Sequence, residues 1–221
     1  MKLNFKALEK RAYRSFFKDG IYDVFLGLIL LSFGLPLILN EFSLLDYVTI
    51  TMPLLVPIII LAVALLFMIF GKKYITTPRL GTVHFGKSRK RKMMHVKLLL
   101  VISVLIGVIT FFLSLFKVFP VGGATGIPIP FLIFGIQALL VFSFMAYFMD
   151  FTRLYLYALL FAVSLPLTFW LKKNTSLPYP SLLVFSFTAG PILIIGCIVF
   201  IRFLTRFPLK KELGVANEQA K

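Results

Sequence analysis

Apolar residues in this chain run together in long blocks that show neither the alternation of a strand nor the single stripe of a surface helix. The blocks extend from Ile21 to Leu39, Tyr47 to Phe70, Leu98 to Phe119, Phe131 to Met149, Leu154 to Leu171 and Ser181 to Phe203. A hydrocarbon core of about 30 Å takes about 20 apolar residues per helical crossing, and each block supplies that length. Transmembrane strands would alternate apolar and polar side chains, whereas a segment such as Leu54 to Met68 is apolar on every face. The pattern predicts an all-α, polytopic membrane bundle of six transmembrane helices over residues 20–207.

The first nineteen residues follow a different rule. Phe5, Leu8, Ala12 and Phe16 recur at three- and four-residue spacing with the basic residues largely elsewhere, which predicts an amphipathic interfacial helix over residues 1–19. Residues 208–221 read as a polar tail. Composition supports the membrane class: 60% of residues are hydrophobic, 14% are charged and the mean hydropathy is +0.98, against about 25% charge in a soluble domain.

Charge then orients the bundle. With six spans, 21 of the 24 Lys and Arg residues fall on one side, and only Lys117, Lys172 and Lys173 on the other. Basic residues in short loops are retained in the cytoplasm, so a multi-pass protein of the cell membrane with both termini cytoplasmic is expected. The longest connection, residues 71–97, is then a basic cytoplasmic loop. Its centre, Tyr74 to Gly86, has β-branched and aromatic residues around a Pro-Arg-Leu-Gly turn, and a short surface hairpin is expected there.

Few residues carry candidate chemistry. Cys197 is the sole cysteine, and His84 and His95 lie among basic residues of the 71–97 segment, so no metal site and no cofactor are expected. No carboxylate pair sits at mid-membrane for proton work, and nothing offers a nucleophile with its base, so no enzyme is expected. Asp19 can cap the first span. Asp23, one turn deeper, should take an ion-pair partner from Arg79, Arg153 or Arg206, each of which follows a cytoplasm-directed span in a similar tetrad (Thr77-Pro78-Arg79-Leu80, Phe151-Thr152-Arg153-Leu154, Leu204-Thr205-Arg206-Phe207).

Two regions are left for binding. Pro36, Pro53, Pro166 and Pro191 interrupt spans in their outer or middle parts, and such breaks are tolerated where they pack in protein or line a cavity. With Gln137 they outline an outward-facing apolar pocket, and Gly122 and Gly123, in the loop Pro120 to Pro130, would form its lid. Lys87, Arg89, Lys90, Arg91 and Lys92 form a dense basic run suited to anionic lipid headgroups. Nucleic acid is disfavoured, because stacking aromatics are sparse there. Small residues, among them Gly27, Ser32 and Gly34 in span one, Ser103 and Gly107 in span three and Gly190 and Gly196 in span six, are expected to pack helices closely.

The spacing T-x-P-R-x-G-x-V-x-F-G, from Thr76 to Gly86 directly after the second span, resembles small prokaryotic integral membrane proteins; the resemblance names no activity. In size, six spans within about 200 residues, the chain is also similar to the substrate-capture subunits of energy-coupling-factor importers, although the alanine-rich contact pattern of their first span is missing from Ile21 to Leu39. That similarity implies a partner membrane or ATPase subunit. The expected function is a non-enzymatic binding or transport subunit; the alternative is a membrane-organising protein that holds anionic lipid or a protein partner on its basic face.

Overall fold

The structure, a computed structural model, describes residues 17, 19–42, 52–80, 87–116, 118 and 127–208, with the backbone only for 52–54, 80 and 87–90. Among the described residues there are six long helices and no strand. They are α1 (Ile21–Glu41), α2 (Met52–Phe70), α3 (Lys87–Leu115), α4 (Ile129–Met149), α5 (Arg153–Asn174) and α6 (Pro180–Arg206). Each contains a stretch long and apolar enough to cross a membrane. The all-α bundle of six spans read from the hydropathy blocks is therefore the fold.

Two sequence expectations are corrected between α2 and α3. The surface hairpin is absent from its first half, because α2 runs on through a π-helical turn (Gly71–Thr76) and a last α-helical turn (Thr77–Leu80). Pro78 removes the amide that the Tyr74 carbonyl would accept from in a regular α-helix, and a π turn is one way to absorb such a defect within a continuous helix. The basic run is not in a loop either, since α3 begins at Lys87. His95 consequently lies on α3, with its ring edge-on to Phe148 of α4 at 5.6 Å. Residues 81–86 fall outside the described residues, as do Gly122, Gly123 and nearly all of the predicted N-terminal helix and tail. Phe17 and Asp19, placed in that N-terminal helix, occupy a turn and a bend, and both are buried against the bundle.

The helices form an open ring in the order α2, α1, α6, α5, α4, α3, every neighbour antiparallel to the next. Only α2 and α3 fail to close it. The core sits where α1, α5 and α6 meet, around Leu30, Leu154, Phe161, Phe185 and Ile192. By contrast, α3 packs chiefly on α4 and none of its most apolar stretch is buried in protein. Without a hydrophobic drive between helices in lipid, contact depends on close approach at small residues. That is how α1 meets α6: Gly27 lies against Leu193, Gly34 against the Phe185 ring and Gly196 against Val24. Gly107 and Gly190 behave otherwise, because a side chain there would meet nothing within 4 Å, so they are not the packing contacts expected of them.

Candidate functional site

The start of α1 carries a buried polar cluster. Asp19 and Asp23 are both fully buried, four residues apart on either side of Gly20. One Asp19 oxygen accepts the Ile21 amide at 3.3 Å, the capping contact foreseen from sequence, and the other accepts Lys72 Nζ and Thr76 Oγ1, each at 2.6 Å. Lys72 and Thr76 both belong to the π turn, which aims them at α1; the Lys72 carbonyl accepts both the amide and Oγ1 of Thr77, closing the turn. Asp23 accepts Arg153 Nη1 at 2.6 Å, and Arg153 Nη2 reaches the Phe17 carbonyl at 3.2 Å. Asp23 Oδ1 and the Tyr157 hydroxyl are buried beside each other.

Of the three arginines considered for Asp23, then, only Arg153 reaches it. Arg79 donates instead to the carbonyls of Leu204 and Phe207 at 3.0 and 2.9 Å, and Arg206 is exposed. The similar tetrads do not perform similar tasks. What the sequence did not reveal was Lys72 as the partner of Asp19: it was counted with the basic residues of a loop, and its position one turn past an apolar run was the available signal.

Helix α6 is capped at both ends by side chains from other helices. At its N-terminus Glu41 of α1 accepts the amides of Ser181 and Leu182 at 2.9 and 3.4 Å and pairs with Lys172 of α5 at 3.1 Å. Arg79 covers the carbonyls at its C-terminus. Acid at the positive end and base at the negative end match the helix dipole and satisfy otherwise orphaned backbone groups. Glu41→Ala and Arg79→Met should each lower stability by about 1 kcal/mol. Lys172→Met leaves the backbone bonds intact and should cost less than about 0.5 kcal/mol. Thermal unfolding of the detergent-solubilised protein separates the two cases, and equal losses would assign the effect to the ion pair rather than the cap.

Inside the ring lies a cavity of about 600 Å³ walled by α1, α3, α4 and α5. Six phenylalanines, Phe33, Phe111, Phe131, Phe134, Phe142 and Phe161, supply much of its surface, and no charged side chain lines it. Several of these rings are held by other rings: Phe33 meets Phe134 edge-on at 5.3 Å, Phe131 stacks on Phe169 at 4.0 Å and Phe142 meets Phe161 at 4.6 Å. Its polar groups are few. Gln137 Nε2 donates to Ser103 Oγ and to the Ser103 carbonyl, at 2.7 and 2.5 Å, tying α4 to α3. Ser103, Gly107, Thr110 and Ser114, at intervals of four, three and four, place a small and polar face of α3 on the cavity. Because α1 and α3 both wall the cavity without packing closely on each other, the cavity is open between them.

Among the residues proposed from sequence to line a pocket, Gln137 does so. Pro36, Pro166 and Pro191 lie within helices that continue through them and are not part of the cavity wall; Pro166 instead packs beside Gly135 where α4 and α5 approach. Pro130, at the start of α4, is the proline that lines it. Pro53 opens α2, and its side chain lies outside the described residues, as do those of Lys87, Arg89 and Lys90 and the residues Gly122 and Gly123. Of the basic run, Arg91 is exposed and Lys92 half-buried on α3. Thr110 and Ser114 went unnoticed in the sequence, although their spacing from Ser103 and Gly107 would have placed them on that face. Among the described residues no cluster of His, Cys, Asp or Glu could hold a metal ion. Compared with family models, curated proteins and solved structures, the chain matches none.

Proposed function

We propose that this multi-pass membrane protein is a non-enzymatic binding or transport subunit that holds an apolar molecule in the cavity between α1, α3, α4 and α5. The observation that carries this reading is a space of about 600 Å³, within the range of sites for small organic ligands, about 300–1,000 Å³, whose aromatic wall holds one amide at Gln137. The polar groups on that wall are hydroxyls and an amide, with no acidic or basic side chain among them, which favours binding over catalysis. On the positive-inside rule the end bearing Asp19, Lys72 and Arg153 is cytoplasmic. The Pro130 and Ser114 end of the cavity then faces outward, and the protein sits in the cell membrane with both termini inside.

A second reading has one observation in its favour. Helix α3 opens on Lys87, Arg89, Lys90, Arg91 and Lys92 with no acidic residue in its first turn, a charge placement that the helix dipole disfavours and that an anionic leaflet would offset. Mass spectrometry of the protein released directly from native membrane tests both. A stoichiometric apolar molecule is the expected result, and a co-purified subunit would add the transport role. Anionic phospholipid as the sole retained species would replace the cavity reading with the basic-face one.

A further inference from the structure

Resting on that reading of the cavity, we propose that its occupant is a neutral isoprenoid alcohol drawn from the bilayer, its hydroxyl donating to Gln137 Oε1 on α4.

The absence of any charged side chain from the wall argues first against an ionised headgroup, because a buried charge without a partner is among the most costly groups to desolvate. A phosphate ester or a free carboxylate would have to remain outside. The unmet hydrogen-bonding capacity argues next for a group that both donates and accepts. Gln137 spends its Nε2 on Ser103, and its Oε1 has no partner among the described residues. Elsewhere in the bundle Ser164, Thr168 and Thr188 turn their hydroxyls back onto carbonyls of their own helices. Thr110 and Ser114, which face the cavity, make no such bond among the described residues. An amide oxygen needing a donor suits an alcohol; a ketone or ester would leave it unanswered.

The depth agrees. Gln137 is eight residues into α4, or about 12 Å along the axis, so a hydroxyl bound there is near the middle of the membrane, where a free alcohol has no partner at all. The wall selects the chain. Phenylalanine rings already fixed by other rings form a rigid surface, and an isoprenoid, with double bonds every few carbons, loses fewer rotors on binding than a saturated acyl chain of the same length. Space for the chain passes over Gly107, where an added side chain meets nothing within 4 Å. The gap between α1 and α3 gives it a path from the lipid.

The full-length protein in phosphatidylcholine nanodiscs can be titrated with tritiated farnesol, and with its saturated hydrocarbon counterpart farnesane as the control for chain alone. Saturable binding of one farnesol per protein is expected, with farnesane at least about tenfold weaker, the scale of one well-made buried hydrogen bond. Gln137→Leu should erase that preference. Because it also cuts the α3 to α4 tie, the control is Ser103→Ala, which loosens the same tie but leaves the amide oxygen in place and should keep the preference for farnesol. Gly107→Phe, filling empty space, should abolish binding of both probes. Equal affinity for alcohol and hydrocarbon, or a Gln137→Leu variant that binds farnesol like the parent, would overturn the alcohol while leaving the apolar cavity standing. No saturable binding of either probe, with a different stoichiometric molecule found in the native protein, would overturn the isoprenoid; no molecule in either experiment would remove the cavity reading as well.

Discussion

Replacing Asp19 with alanine is expected to destabilise the protein by about 4 kcal/mol, the largest loss of any single truncation at the polar end of the bundle. Removing one member of a buried, hydrogen-bonded ion pair typically costs about 3–5 kcal/mol, because the other is left desolvated and unpaired. Lys72 is the partner that loses its carboxylate here, with 16% of its side chain exposed, and Asp19 itself has none. The same substitution also orphans the Thr76 hydroxyl and the Ile21 amide. The Asp23 and Arg153 pair should be more forgiving. Arg153 keeps 32% of its side chain exposed and retains the Phe17 carbonyl, so Asp23→Ala should cost about 2 kcal/mol, the pair's worth being reduced by solvent at the guanidinium.

The decisive comparison is a double-mutant cycle read by denaturation of the detergent-solubilised protein. Asp19→Leu combined with Lys72→Leu should recover a large part of the single-site loss, since an apolar pair strands no charge. If the double variant loses the sum of the two single losses, the carboxylate and the ammonium act independently and the cluster is not a coupled unit.

Which parts of this were legible in the sequence follows from what sets each feature. Span number and type are fixed by bilayer thickness and the backbone's need for internal hydrogen bonds, so six apolar blocks were enough to give α1 to α6. The exit of α2 was not legible. Thr77 and Pro78 carry the local signature of a turn, and what keeps the chain helical past them is tertiary: Lys72 and Thr76 are held by Asp19, fifty residues away or more, through a π turn whose cost those contacts offset. Pairing of Asp23 with one of three arginines was foreseeable from depth, but the choice of Arg153 depends on ring order, which places α5 beside α6 and brings its start next to the start of α1.

The cavity was hidden for the same reason. Gln137 drew attention as a polar residue in an apolar helix, while Ser103 and Gly107 read as a packing face. They became a cavity wall because α3 meets only α4 closely, and no local pattern records which helix stays away. The prolines misled in the opposite direction. A proline in a transmembrane helix permits an irregular backbone but does not require one to face a void, and Pro36, Pro166 and Pro191 are absorbed inside helices that continue past them.

Glycine supplies the sharpest contrast between positions that look alike in sequence. Gly20→Ala is expected to cost about 2–4 kcal/mol. Its φ of +76° lies in the left-handed region, where an alanine is disfavoured by about 1 kcal/mol. The larger part is steric, because the new Cβ would lie 2.5 Å from the Gly196 carbonyl oxygen and 2.6 Å from the Phe200 nitrogen. Both are backbone atoms of α6 and cannot swing aside, so α1 and α6 must separate along their shared face, an overpacking cost of roughly 1–3 kcal/mol. Gly190→Ala lies in α6 as well, yet its Cβ meets nothing within 4 Å; relief of glycine's backbone entropy should there stabilise by about 0.5–1 kcal/mol. The two variants share a chemistry and should shift the unfolding midpoint in opposite directions. If Gly20→Ala is tolerated as well as Gly190→Ala, the close seating of α1 on α6, and with it the position of Asp19 opposite Lys72, is wrong.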